Sequence, residues 1–238
     1  MTDAALIWSY LTQGPLLWLT ATLAAYWLGD SFFRMTGRKS WANPVAVAVI
    51  VLALVLWSTG TSYKTYFEGA QFVHFMLGPA TVALGMPLYD NLSRVRRAAL
   101  PLAAALLAGS LTAIVSVLVI GKAFGLSATM LASLAPKSTT APVAIGIAEG
   151  LGGEPTITAV LVLLTGMFGA IVVTPLLNLL RVHDWRARGF AVGVAAHGIG
   201  TARAFQVNET AGAFASIGMG LNAVLTAVLA PLVLRLFQ

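Results

Sequence analysis

The spacing of charged residues constrains this chain more than any other feature. A helix needs about 20 consecutive apolar residues to cross a hydrocarbon core of about 30 Å. Taking Asp, Glu, Lys and Arg as boundaries leaves six uncharged stretches of 21 residues or more: 4–29, 40–63, 69–89, 98–121, 155–180 and 210–234. Each is long enough to span, so the predicted fold is all-α, a polytopic bundle of transmembrane helices. Only 9% of the 238 residues are charged and 58% are hydrophobic, whereas about a quarter of the residues of a soluble domain are charged. The connectors are too short for cores of their own, which need about 40 residues or more. The chain therefore reads as one integral membrane domain over 1–238, with N-terminal helices in 1–67 and a core in 68–238.

The formal charge of +6 comes from basic residues at the ends of apolar stretches, in three clusters: Arg34, Arg38 and Lys39; Arg94, Arg96 and Arg97; and Arg181, Arg186 and Arg188. Lys- and Arg-rich short loops favour the cytoplasm. No basic stripe with interleaved aromatics accompanies them, so nucleic acid is not an expected partner. Without cysteine there is no disulfide, thiolate nucleophile or Cys-ligated metal, and no carboxylate cluster suggests a metal. No metal or cofactor is expected. The first stretch lacks a basic lead and a small-residue cleavage pattern, and is expected to be a retained span.

Two regions interrupt this pattern. Between the second and third clusters lie the stretches 98–121 and 155–180 and an interrupted region, 123–153. The two clusters share a side only if 123–153 enters and leaves by one face, as a re-entrant or broken helix pair opening away from the cytoplasm. The second region, 189–208, either spans or re-enters, and Arg235 favours a cytoplasmic C-terminus. A kink is expected at Pro79, within 78–91.

The first interrupted region carries Pro136, Lys137, Ser138, Thr139, Thr140 and Pro142 in apolar surroundings. Backbone freed by proline in lipid must be satisfied by neighbours, water or hydroxyls. One reading is an unwound break whose hydroxyls and amides ligate an anion, with Lys137 as counter-charge and the following helix N-terminus adding partial positive charge. The plainer reading is a short extramembrane loop. The second region carries His197, Gly198, Gly200, Thr201 and Arg203. His197 suits proton coupling and Arg203 suits carboxylate binding. The glycines allow backbone to approach a ligand. The plainer reading here is a helix end, with Arg203 snorkelling and His197 satisfied by a carbonyl.

The few acids matter individually. Glu149 can neutralise Lys137 or carry a proton, while Glu154 reads as a solvated loop residue. Asn178 and Asn222 lie inside long stretches and read as interhelical hydrogen-bonding residues. The pairs Gly146/Gly150 and Gly189/Gly193 have the spacing for close helix approach, a weak signal among 23 glycines. Standard catalytic motifs are missing, and the chain is not expected to be an enzyme.

These motifs resemble the LrgB/CidB family of bacterial membrane proteins, which also includes the plastid glycolate and glycerate translocator of plants. The resemblance rests on Pro136-Lys137-Ser138-Thr139-Thr140 with Pro142, on His197-Gly198-Ile199-Gly200-Thr201-Ala202-Arg203, and on Leu77-Gly78-Pro79-Ala80-Thr81-Val82-Ala83-Leu84, over roughly 68–236. It implies a multi-pass protein of the bacterial inner membrane that transports small monocarboxylates such as glycolate, glycerate, lactate or pyruvate. By analogy it also implies an inverted-repeat, elevator-type architecture; a homodimer is a further expectation. The alternative it implies is a non-transporting regulator or pore component that controls murein hydrolases and lysis beside a holin-like LrgA/CidA partner.

The combined expectation is a proton-coupled carrier of a small organic anion. Lys137, Ser138, Thr139, Thr140, His197, Gly198, Gly200, Thr201 and Arg203 are expected to bind substrate, and His197 or Glu149 to titrate.

Overall fold

The computed structural model describes residues 14–76 and 98–237, together with the single positions 79, 83, 86, 89 and 96. The expected kink at Pro79 falls in the stretch outside continuous description. No strand occurs among the described residues, and the chain divides into two compact units, Met1–Ala83 and Leu84–Gln238.

The first unit holds α1 (Pro15–Met35), a single 3-10 turn (Ser40–Ala42), α2 (Pro44–Thr59) and α3 (Tyr63–Phe75). Charge spacing placed a boundary at Asp30, yet α1 runs on to Met35, because Asp30 pairs with Arg34 one turn later along the same helix. Asn43 begins α2 by accepting bonds from the Val45 and Ala46 amides at 2.9 and 3.1 Å. Trp18 of α1 meets Tyr66 of α3 edge to face, with ring centroids 5.9 Å apart.

The second unit holds α4 (Ala99–Ala123), α5 (Ala128–Leu134), α6 (Ala141–Gly150), α7 (Pro155–Leu179), α8 (Trp185–Val207) and α9 (Glu209–Leu234). Among the described residues, α4, α7 and α9 are long and apolar enough to cross a membrane. They coincide with the uncharged stretches 98–121, 155–180 and 210–234.

The direction of each helix follows from its contacts. Lys122 at the end of α4 donates to the Phe237 carbonyl at 2.7 Å, and Leu102 and Leu106 near its start pack with Phe190 and Phe214. Helices α4 and α9 therefore run parallel. Helix α7 runs opposite to them. It begins beside α5, where the Glu154 amide donates to Ser133 Oγ at 2.7 Å, and later packs Val173 and Leu177 against Ala211 near the start of α9.

Helix α8 is not one rod. Ala196 and His197 have non-helical dihedrals, and His197 has φ 40°. Beyond them the chain folds back, since a Cβ on Gly200 would lie 2.8 Å from Val192 Cγ1, whereas eight residues of straight helix would separate the two by about 12 Å. The first half, 185–195, then lies parallel to α9. Gly189 and Gly193 lack the side chain that would collide with the Ala211 and Ala215 carbonyls, so the two backbones pack directly, as expected from small-residue spacing. No such packing occurs at Gly146 and Gly150, where an added Cβ would meet nothing within 4 Å.

Helices α5 and α6 form the other reversal. Residue 128 follows the end of α4, residues 135–140 make the turn, and Gly153 returns to lie against Ser133. The unit thus contains two helical hairpins, one leading in from the end where α4 and α9 finish and one from the end where α9 starts. Arg235 consequently lies at the end opposite Arg181 and Arg186. The suggestion drawn from Arg235, that the C-terminus shares the side of the basic clusters, does not match this arrangement.

Candidate functional site

The tips of the two hairpins meet at Asn222, in the middle of α9. Its Nδ2 donates to the Ser138 carbonyl at 3.1 Å and to the Val194 carbonyl at 3.2 Å. Its Oδ1 accepts from Ser110 of α4 at 2.6 Å and from Thr226 at 3.3 Å. The orientation of the amide is dictated, because two carbonyls can only accept and must face the NH2 group. Asn222 is 1% exposed and makes the interhelical bonds read from the sequence; Asn178 is exposed near the end of α7.

Lys137 lies at the first tip, half-buried, and donates from Nζ to Ser138 Oγ at 3.2 Å. The ion pairs among the described residues are Asp30–Arg34 and Asp184–Arg186, so no described carboxylate neutralises Lys137. Beside it, the hydroxyls of Thr139 and Thr140 are buried with no hydrogen-bond partner. Thr140 is the N-cap of α6, yet its side chain caps no amide, and Pro142 occupies the first turn. The start of α6 therefore keeps backbone donors for another acceptor. Glu149 is exposed at the far end of α6, about 12 Å along the axis from its first residue at 1.5 Å per residue. It does not neutralise Lys137.

At the second tip, His197 is buried and its Nε2 lies 2.9 Å from the Val162 carbonyl of α7. A carbonyl only accepts, so Nε2 carries the proton. The ring fits because residue 166 is glycine; a Cβ there would stand 2.5 Å from His197 Cε1. Thr201 Oγ1 donates to the His197 carbonyl at 2.8 Å. Gly200 allows the returning helical limb of the hairpin to pass Val192, and Gly198 faces Met219.

A cavity of about 980 Å³ leads to Lys137 and Ser138 between α4 and the first half of α8. Ala105, Ala108 and Ala113 wall one side and Ala187, Ala191 and Ala195 the other, with Asp184 and Arg186 at the exposed base. Asp184 begins α8 by accepting from the Arg186 amide at 2.8 Å and binds the Arg186 side chain at 2.7 Å. The Arg186 side chain, then its amide, hold the Asp184 carboxyl down at about 2. Glu154, read from the sequence as a loop acid, caps α7, and its bond from the Ile157 amide holds its carboxyl below the ordinary range.

The structure brings Lys137, Ser138, Thr139 and Thr140 together at one tip and His197, Gly198, Gly200 and Thr201 at the other. Arg203 is not with them. The chain reversal carries it toward the base of the hairpin, where it lines a separate narrow cleft with Trp185, Arg188 and Thr174. Lys137 and Arg203 therefore do not share the large cavity. Ser110, Thr226, Val162 and Gly166 complete the centre and were not singled out from the sequence; the partners of Ser110, Val162 and Gly166 are remote along the chain, while Thr226 bonds Asn222 one turn away in the same helix.

The model of the LrgB-like family matches residues 22–236. The chain belongs to the LrgB family. The match takes in most of both units, more than the motif-bearing part from which the resemblance was read. The chain is 38% identical to the uncharacterized protein YxaC of Bacillus subtilis (strain 168) over 195 residues, 82% of this chain and 85% of that protein. It is 36% identical to the holin-like protein CidB of Staphylococcus epidermidis over 82% of this chain and 85% of that one, and 33% identical to CidB of Staphylococcus aureus (strain N315) over 93% and 96%. No solved structure matches. Membership of this membrane-protein family agrees with the three long apolar helices of the second unit.

Proposed function

We propose that this LrgB-family chain is a multi-pass carrier of small monocarboxylates in the bacterial inner membrane, binding the anion at the tip between α5 and α6. One observation carries the reading. A lysine without a described counter-ion, two buried hydroxyls without partners and an uncapped helix start converge at one place. A carboxylate leaving water needs this set: a cation, hydrogen-bond donors and a favourable helix dipole. The alanine-walled cavity supplies access from the base near Arg186. On this reading the two hairpins are re-entrant, entering from opposite faces. Proton coupling through His197 would place the incoming proton on Nδ1, with Nε2–H still donating to the Val162 carbonyl.

The name of the CidB relatives, holin-like protein, favours a second reading. In it the chain regulates or forms part of a pore acting on murein hydrolases and lysis, beside a small LrgA/CidA-like membrane partner. Counterflow of labelled pyruvate or glycolate in vesicles holding this chain alone separates the two. Saturable exchange, accelerated by an imposed pH gradient and saturating only at much higher substrate in Lys137→Gln, is expected of the carrier. No exchange, or unselective leakage, would leave the second reading in its place.

A further inference from the structure

We propose that Asn222 is a positioning residue that clamps the two hairpin tips together, so that the site at Lys137 exists only while its carboxamide bridges both. The bridge is specific in its chemistry. Each tip presents a carbonyl to it, Ser138 on one side and Val194 on the other, and a single NH2 group donates to both. In a buried setting, losing that donor removes a hydrogen bond from each tip at once.

The other half of the amide does something different. Ser110 and Thr226 hold Oδ1, which fixes the rotation of the side chain without touching either tip. Asn222 thereby separates into a clamping end and an anchoring end. The anchor is redundant, since Thr226 remains when Ser110 is removed, and the clamp is not. Interhelical glue of the ordinary kind would show no such division.

The carboxamide also settles what closes the junction electrically. Two carbonyl oxygens converging at broken helices are a common setting for a bound cation; here a neutral side chain takes that place. Closure of the tips therefore needs no alkali ion.

Hydrogen exchange, read peptide by peptide on the purified full chain, tests the clamp directly. Asn222→Asp keeps size and the acceptor for Ser110 and Thr226 but, when ionised, donates nothing. Exchange in 135–141 and in 194–200 is expected to rise about tenfold, the scale of one lost buried hydrogen bond, with α4 unchanged. Ser110→Ala is expected to leave both tips protected. In vesicles, Asn222→Asp should raise the apparent KM for pyruvate about tenfold or more, with a smaller change in maximal rate. Replacing sodium by choline should alter neither quantity in the unmodified chain.

A rise at one tip only, or an equal rise in Ser110→Ala, overturns the proposal, as does sodium-dependent protection in the unmodified chain. Should Asn222→Asp not accumulate, Asn222→Ser is held to the same criteria, and weak protection of either tip in the unmodified chain is itself a refutation. The KM arm rests on the carrier reading and the exchange arm does not. Tip exchange as expected, with no uptake by the unmodified chain, would retain the clamp and discard the carrier.

Discussion

Gly166 of α7 lies directly against the imidazole of His197, with space for hydrogen and none for a methyl: a Cβ would stand 2.5 Å from Cε1 and 2.8 Å from Nε2. The ring is pinned between this glycine and the Val162 carbonyl, and its own backbone is held at φ 40°. A non-glycine residue in that region costs about 1–3 kcal/mol and persists only where its surroundings enforce it.

Gly166→Ala is therefore expected to push the ring off Val162 and destabilise the protein by about 1–3 kcal/mol, the range for an overpacked core. Thermal unfolding measures the loss. An unchanged midpoint would mean that the ring has room the distances do not show.

The hairpin directions predict labelling from outside. The chain contains no cysteine, so single cysteines report cleanly. Phe124→Cys and Gly150→Cys, at the end where α4 and α6 finish, should react with an impermeant thiol reagent from one face of the membrane, and Arg181→Cys from the other. Reaction of Phe124→Cys and Gly150→Cys from opposite faces would rule out the first hairpin as re-entrant.

Arg203 and Lys137 should separate in their effects. Lys137→Gln removes a charge-assisted partner and is expected to weaken anion affinity about 10- to 100-fold with the fold intact. Arg203→Ala, altering the base of the second hairpin, is expected to lower thermal stability and to leave the affinity of the remaining folded protein within about threefold, since sites without shared partners act independently. Equal losses of affinity in both variants would put Arg203 back in the site.

Asp184 gives a pH dependence with a definite sign. Its folded value, about 2, lies below the ordinary value of about 3.9. Its contribution is thus fully present above about pH 4 and disappears as pH falls toward 2. Asp184→Ala should cost about 1 kcal/mol at neutral pH, as for a lost N-cap, and the gap from the parent should close between pH 4 and 2. A gap independent of pH would sever it from the carboxylate.

The long helices were legible because membrane crossing is a one-dimensional constraint, and uncharged length shows it directly. The first hairpin was legible for a related reason: Arg94 and Arg186 can share a side only if 123–153 turns back. Other features depended on neighbours invisible in one dimension. Asp30 did not end α1, because Arg34 lies one turn away on the same face. Lys64 and Glu68 did not stop α3, because both side chains lie exposed on its surface. Arg203 was grouped with His197 on the strength of six residues of separation, and the reversal at Ala196 and His197 sent it elsewhere. Asn222 could be recognised as a bonded amide, but Ser138, Val194 and Ser110 are 84, 28 and 112 residues from it, and no local pattern announces such partners.

The solitary charge of Lys137 bears on how membrane voltage would act on the carrier proposed above. Each unit charge crossing the field exchanges about 2.3 kcal/mol per 100 mV. A monocarboxylate seated on the lysine makes a neutral couple, so the loaded tip would feel the potential only through the proton coupled to it. The empty tip would carry the positive charge of Lys137 back, and the resting potential would act on that return journey too.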